Sequence, residues 1–312
     1  MPTVRTFALL ALLLCGCLGC APSDAERLLE ELRSQPLDVS APPPVCKASK
    51  RQKYQVERRT TFHGPTPSSG TVKSEAIVKL LEHCENGAFR AQCTYARFKG
   101  DEGASVLSNL IADLPLVARF DRYGRMKEIE NYDEIKKAIL ARMESPEWPT
   151  RASTDKAKDT LTAEAFIKSD LAREFEYFFV LQGRSYSYNQ PIEEQRLHEL
   201  GPFEFLDSPL HIQVTDRFVL TDFRSPPYAD AMIDFEEILD LELLGEAAQK
   251  EKLLQEFAEK LLNENPNGER KMKFELDTET RWPTRMELNT KSRKGEELQR
   301  SDQCIMTLQG RP

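Results

Sequence analysis

Histidine is scarce in this sequence, with four in 312 positions. His63, His83, His198 and His211 stand apart, and none has an acid or a second histidine at ligand spacing such as H-E-x-x-H. Isolated histidines of this kind read as structural or surface residues. The patterns G-x-S-x-G, G-x-G-x-x-G, the phosphate-binding P-loop and, beyond residue 20, C-x-x-C are absent as well. No residue is therefore assigned to catalysis, to a cofactor or to a metal. Positive charge is in deficit, with 43 Lys and Arg against 51 Asp and Glu and a net charge of −8. That balance argues against a nucleic-acid partner and against broad attraction to anionic head groups. Long apolar runs are missing too. The longest, Phe7 to Leu14, falls well short of the ~20 residues a membrane-spanning helix needs.

That one apolar run sits in an informative place. Arg5 precedes it, and "LLLCGCLGC" (residues 12–20) follows with three cysteines in nine positions. A basic start, a short apolar core and a small-residue region describe an export signal. A metal cluster would need a folded loop to set thiolate geometry, and these cysteines lie inside the export segment. The stretch resembles the signals of bacterial lipoproteins, which end in Leu, a small or apolar residue, Gly or Ala, and Cys. The resemblance implies cleavage before that Cys, acylation of its thiol and new amino group, and three acyl chains in all. Two frames compete. Leu14-Cys15-Gly16-Cys17 places Leu where the family has it, and Cys17-Leu18-Gly19-Cys20 places Cys there. The anchor is read as Cys17, with a signal over residues 1–16; the alternative is Cys20, with the signal ending at 19. Parity favours the alternative, since it leaves Cys46, Cys84, Cys93 and Cys304 as an even set of possible disulfide cysteines in an oxidising compartment. One acyl chain holds only reversibly, whereas three give lasting attachment. Neither Leu18 nor Ala21, the residue after each candidate anchor, is the Asp that retains such proteins at the inner membrane. The expected location is the outer membrane, facing the periplasm.

Residues 17–45 read as a tether. Ser23-Asp24-Ala25-Glu26 is a capping box opening a short amphipathic helix with Leu28, Leu29 and Leu32, read as docking on the body. "SQPLDVSAPPPV" then reads as extended chain. The body, 46–312, opens with strands. Tyr54, Val56 and Phe62 share a parity, and Asn86-Gly87 between two apolar runs reads as a hairpin turn, with a helix closed by Gly87 as the alternative. A two-residue hairpin there sets Cys84 and Cys93 ~13 Å apart, so each would pair with Cys46 or Cys304. Leu116, Ala118 and Phe120 lead through "DRYG" into a second hairpin. Asn131 and Glu134 suggest a capping box for a helix with Ile135, Ala138, Ile139 and Met143 inward. A longer helix is expected from Thr162 to Gln182, with Ile167, Leu171, Phe175 and Phe178 inward and Gly183 as its stop.

The second half alternates more plainly: Ile212, Val214, Phe218, Leu220, then Ala231, Ile233, Phe235, Leu239, Leu241, Leu243. A helix around Ala247, Leu254, Ala258 and Leu261 is followed by strands at Met272–Leu276, Trp282–Leu288 and Cys304–Leu308. "KSRK" (291–294) reads as a hairpin tip. Glu236, Asp240 and Glu242 fall on the wet parity of their strand, and Glu237 alone points inward, either as a buried acid or at a bulge. "RYGRMKEI" and "RWPTRMEL" echo each other, which allows two similar lobes, 46–190 and 191–312.

The expected fold is α+β, antiparallel sheets with one face covered by helices. The leading functional reading is a lipid-anchored envelope protein with a non-catalytic binding or structural role, its partner an envelope protein. The alternative is a carrier or acceptor of a lipid or other apolar ligand, because the coarse order of elements resembles lipoprotein carriers and their acceptors. A hydrolase with scattered residues is the third.

Overall fold

The computed structural model describes residues 29–39, 51–63, 66–83, 87–100, 110–145, 155–164, 167, 173–200, 210–223, 230–239, 269–294 and 297–309. Apolar residues at every second position give each strand one dry face, and those faces must share a core. A short strand β1 (Leu37–Val39) comes first. Then β2 (Gln52–Phe62), β3 (Ser68–His83), β4 (Phe89–Gly100), β5 (Pro115–Phe120) and β6 (Met126–Ile129) form an antiparallel meander. Three helices follow, α1 (Tyr132–Met143), α2 (Asp155–Thr162) and α3 (Arg173–Tyr177), and then the strand β7 (Arg184–Tyr186). A second meander runs through β8 (Pro191–Leu200), β9 (Leu210–Phe223), β10 (Asp230–Leu239), β11 (Glu269–Asp277), β12 (Pro283–Lys294) and β13 (Glu297–Leu308).

The last strand pairs with β2, setting Met306 opposite Val56 and Cys304 opposite Arg58. Both meanders therefore share one eleven-stranded sheet, with β6 and β8 at its two ends. Its inner face carries Tyr54, Val78, Phe89 and Phe120 from the first meander, and Phe218, Phe235, Phe274 and Met306 from the second, all buried. The sheet-dominated antiparallel fold is as expected. A face covered by helices is not shown among the described residues. Contacts come from the Ile135, Ile139 and Met143 stripe of α1, from α3 with the turns at 178–183, and from the β1–β7 ribbon.

Four expectations change in detail. The β3–β4 hairpin forms, but His83 pairs with Phe89 and Val78 with Cys93, a longer connection than two residues with a bulge near Glu82. Asn131 does not cap α1. Its Oδ1 accepts from the Val117 N–H at 2.9 Å and its Nδ2 donates to the Pro115 carbonyl at 2.7 Å, so the side chain ties the helix start to β5. Part of the stretch read as tether is β1, whose Leu37 and Val39 are buried against β7. Leu29 and Leu32 dock on the core as expected.

The fourth change matters most. The helix read over 162–182 does not run through. α3 ends at Tyr177 and residues 178–183 are turns. The reason is visible in "YFFVLQ": all six residues from Tyr177 to Gln182 are buried. A helix on a sheet buries one stripe, and six consecutive buried side chains need contact on both sides. The segment 174–183 is thus an inserted plug, with Phe179 as its hub. The Phe179 ring lies 5.0 Å from Phe89, 4.9 Å from Phe120 and 5.6 Å from Trp282. Phe178 packs on Tyr54 at 4.5 Å. Phe179→Ala is expected to cost about 3–5 kcal/mol, the range for truncating a buried phenylalanine. Urea denaturation of the variant measures it, and a loss under ~1 kcal/mol would mean the plug is not part of the core.

Candidate functional site

The plug carries charge as well as rings. Glu174 and Glu176 on α3 flank Phe175, and each meets an arginine of the sheet. Arg58 on β2 donates to Glu174 with Nε at 2.7 Å and Nη2 at 2.9 Å, the two-pronged geometry that makes guanidinium–carboxylate pairs strong. Glu176 pairs with Arg125, in the β5–β6 turn, at 3.5 Å. From Arg125 a chain of ion pairs crosses the inner face. Arg125 bonds Asp216 on β9, and Arg196 on β8 donates Nε to Asp216 Oδ2 at 2.8 Å. Arg196 also reaches Glu237 Oε2 on β10 at 2.5 Å. Arg270 on β11 donates to Glu237 Oε1 at 2.6 Å and to the Tyr177 hydroxyl at 3.3 Å. Because Tyr177 follows Glu176, the chain closes into a ring through the α3 backbone.

The ring holds three guanidinium groups and three carboxylates, so its formal charge is zero. Asp216 is 1% exposed and Glu237 7%. Charges this deep are stable only while each keeps its partner. Such a ring adds little net stability over an apolar core, but it fixes where α3 sits. The far end of the plug is held by Arg184, which donates to Glu194 at 2.9 and 2.5 Å and to the carbonyls of Val180 and Gln182 at 2.6 and 2.7 Å.

Glu176 is the ring carboxyl whose pKa is displaced. Burial pushes its carboxyl above the ordinary ~4.3, while Arg125 and Arg196 pull it down. The folded protein then holds this proton more tightly than the unfolded chain does. Its contribution favours folding at low pH and is lost as pH rises through the raised pKa. Glu176→Gln is expected to gain stability relative to the wild type as pH rises from about 4.3 to 7. Paired denaturation curves across that window check it. A variant that loses ground as pH rises would show that the attraction to Arg125 outweighs burial.

Of the residues singled out by sequence, Glu237 is brought into this ring, with its inward parity intact and no bulge at its position. Glu236, its neighbour, faces outward and pairs with Arg217 and Lys271. Cys93 and Cys304 are buried free thiols. They lie three strands apart, roughly 14 Å at the usual ~4.8 Å spacing, too far to pair with each other. Burial pushes both thiols up, which keeps them protonated and poor nucleophiles. Cys304 Sγ lies 3.8 Å from Glu174 Oε1. Cys17, Cys20, Cys46, Cys84, Asp240, Glu242 and the helix expected near Leu254 lie outside the described residues. His63 meets Ser301 at an exposed site.

Sequence reading missed Arg58, Arg196, Asp216 and Arg270. The signal was present: each sits at the buried parity of its strand, as Asp216 does between Val214 and Phe218. A cavity of about 340 Å³ opens on the outer face, lined by Arg217, Val219, Thr221, Asp234, Glu236 and Lys271. Its charges pair across strands in the manner of a solvated face. Among the described residues, no helix is long and apolar enough to cross a membrane, and no group of His, Cys, Asp and Glu is placed to hold a metal ion.

No family model matches this chain, and no curated protein does. Among solved structures, one of lipovitellin, described as concerning lipid–protein interactions, aligns over 85% of this chain and 25% of that one. It is 11% identical, with a TM-score of 0.40. This chain therefore spans about a quarter of that protein. A LolA-superfamily protein of Nitrosomonas europaea aligns over 92% and 94% of the two chains at 8% identity, with a TM-score of 0.17. Likenesses at these levels assign no family.

Proposed function

We propose that this chain is a lipid-anchored protein of a bacterial envelope that carries or accepts an apolar ligand of lipid type against the inner face of its sheet. The single observation that supports this most is how the face is filled. The aromatic centre of an open sheet is occupied by a short segment, 174–183, that is no strand of that sheet. Ring packing and ion pairs hold its α3 half there, while Arg184 and the Gly183 N–H bond to the Val39 carbonyl tie its far end. An acyl chain in place of Phe175 and Phe178 would meet Tyr54 and Phe120, apolar surface worth ~25 cal/mol per Å² buried.

Export and attachment at Cys17, alternatively Cys20, belong to the same proposal, and with them the outer membrane facing the periplasm. An envelope protein as partner is the second reading, and no residue is given a catalytic role. Two experiments test the proposal. Labelled palmitate should enter the wild type and be lost in Cys17→Ala; loss in Cys20→Ala instead moves the anchor, and no labelling of the wild type contradicts lipidation. An apolar dye such as N-phenyl-1-naphthylamine should bind saturably to the full chain carrying Cys17→Ser and Cys20→Ser while its far-UV circular dichroism stays unchanged. Dye binding only above the denaturation midpoint would contradict the carrier.

A further inference from the structure

The far end of the plug is closed by a piece of chain from outside the main sheet. Gly183 ends the plug and β7 follows at once, reaching back to it twice. Arg184 donates to the carbonyls of Val180 and Gln182, and the Tyr186 hydroxyl donates to the carbonyl of Leu181 at 2.9 Å. β7 pairs with β1 in a two-stranded ribbon, apart from the eleven-stranded sheet. The register sets Leu37 opposite Tyr186 and Val39 opposite Arg184, and the Gly183 N–H donates to the Val39 carbonyl at 2.8 Å. Gly183, Arg184 and Tyr186, which tie the plug, are thus each matched by β1. Upstream, Arg33 donates to Asp222 on β9 at 2.6 Å and lies over the Tyr188 ring at 5.2 Å, while Leu29 and Leu32 pack on the core. The ribbon has three residue pairs, and a two-stranded ribbon of that size is marginal by itself. Such elements open locally well before the fold does. This one is also near the expected anchor, because Leu29 follows Cys20 by 9 positions and Cys17 by 12. At no more than ~3.6 Å per residue, that leaves roughly 30–45 Å of chain to the membrane.

We infer that residues 29–39 are a clasp on the plug, and that an apolar ligand reaches the aromatic centre around Phe179 only when β1 leaves β7. This rests on the carrier reading and adds what gates it. With β1 on β7, residues 178–183 are pinned from both sides, by the sheet and by the ribbon. With β1 released, Leu37 and Val39 leave the buried sites they fill, β7 loses its partner strand, and the segment from Phe178 to Gly183 is free to follow α3 outward. The clasp lies in the chain between the expected anchor and the plug. Movement of the body relative to the membrane therefore acts on it before any other described element.

The test shuts the clasp reversibly. Asp38 and Ser185 are opposite each other in the ribbon and both are exposed. Opposite residues of an antiparallel pair lie ~4.5–5.5 Å apart at Cα, within reach of a disulfide. The full chain carrying Cys17→Ser, Cys20→Ser, Asp38→Cys and Ser185→Cys is oxidised and then reduced with dithiothreitol, with the new bond confirmed by peptide mapping and the fold by circular dichroism. Uptake of N-phenyl-1-naphthylamine is expected to slow at least tenfold in the oxidised form and to recover on reduction. A control bond, Lys291→Cys with Ser301→Cys across β12 and β13, should leave the rate unchanged. An equal rate in both redox states would overturn the clasp and leave the carrier standing. Equal slowing by the control bond would do the same, because uptake would then follow overall stability. No uptake in either state would remove the carrier reading itself, and the clasp with it. A second measurement needs no new cysteine and covers misfolding of that variant. In the chain carrying only Cys17→Ser and Cys20→Ser, the Gly183 amide should exchange for deuterium faster once the dye is bound, and undiminished protection would overturn the clasp.

Discussion

Gly124→Ala is expected to destabilise the protein by about 4 kcal/mol or more, at the top of the range for single substitutions. Gly124 has a φ of +72°, in the region where a side chain is strained. The larger effect is crowding. A Cβ at Gly124 would overlap the carbonyl oxygen of Phe179, backbone that cannot swing aside. The turn cannot retreat easily either, since Asp121 Oδ1 accepts from the N–H groups of Tyr123 and Arg125 at 2.9 and 3.0 Å. Relief must come from the plug, which loses the packing of Phe179, or from Arg125, which loses Asp216. The melting temperature should fall on the order of 10 °C. Gly87→Ala is the control. Its φ is also positive, at +77°, but among the described residues its Cβ would meet only the Arg122 Cβ, at 3.3 Å. That substitution should cost roughly 1–2 kcal/mol, the strain alone. Equal losses in the two variants would mean that the turn and the plug do not press together.

The second large effect separates two neighbours on one strand. Glu237→Ala should cost about 3–5 kcal/mol, because it leaves Arg196 and Arg270 facing each other on the inner face without their shared carboxylate. Glu236→Ala removes the same atoms one residue earlier and should cost at most about 1 kcal/mol, since its partners Arg217 and Lys271 are 44% and 64% exposed. Urea denaturation of both variants at pH 7 gives the comparison. A similar cost at the two positions would show that the ring is solvated and does not fix α3.

The strands and their dry faces were legible because alternation is local. Val214, Phe218 and Leu220, or Met272, Phe274 and Leu276, point to one face whatever lies next to them. The joining of β13 to β2 was not legible, because nothing within either strand encodes a partner some 240 residues away. The plug was read half correctly. Ile167, Phe175 and Phe178 are buried as helical spacing suggests, yet Phe179, Val180 and Leu181 between and beyond them are buried too. Periodicity assumes one neighbour, and this segment has them on both sides. Asn131 misled in a similar way, as its amide serves β5 in place of the helix end. The candidate site was legible only through Glu237. The rule that marked it, a charge at buried parity, marks Asp216, Arg58, Arg196 and Arg270 equally well. Their pairing across β8–β11 and onto α3 needed the fold.

The central claim is that the inner face holds an apolar ligand. Its most direct test is mass spectrometry of an organic extract from the full chain carrying Cys17→Ser and Cys20→Ser, purified without detergent after incubation with envelope membranes. With no acyl chain attached covalently, any lipid found is bound by the fold. The account predicts a lipid near one molecule per protein. A clean extract, repeated after a second incubation with membranes, would contradict it.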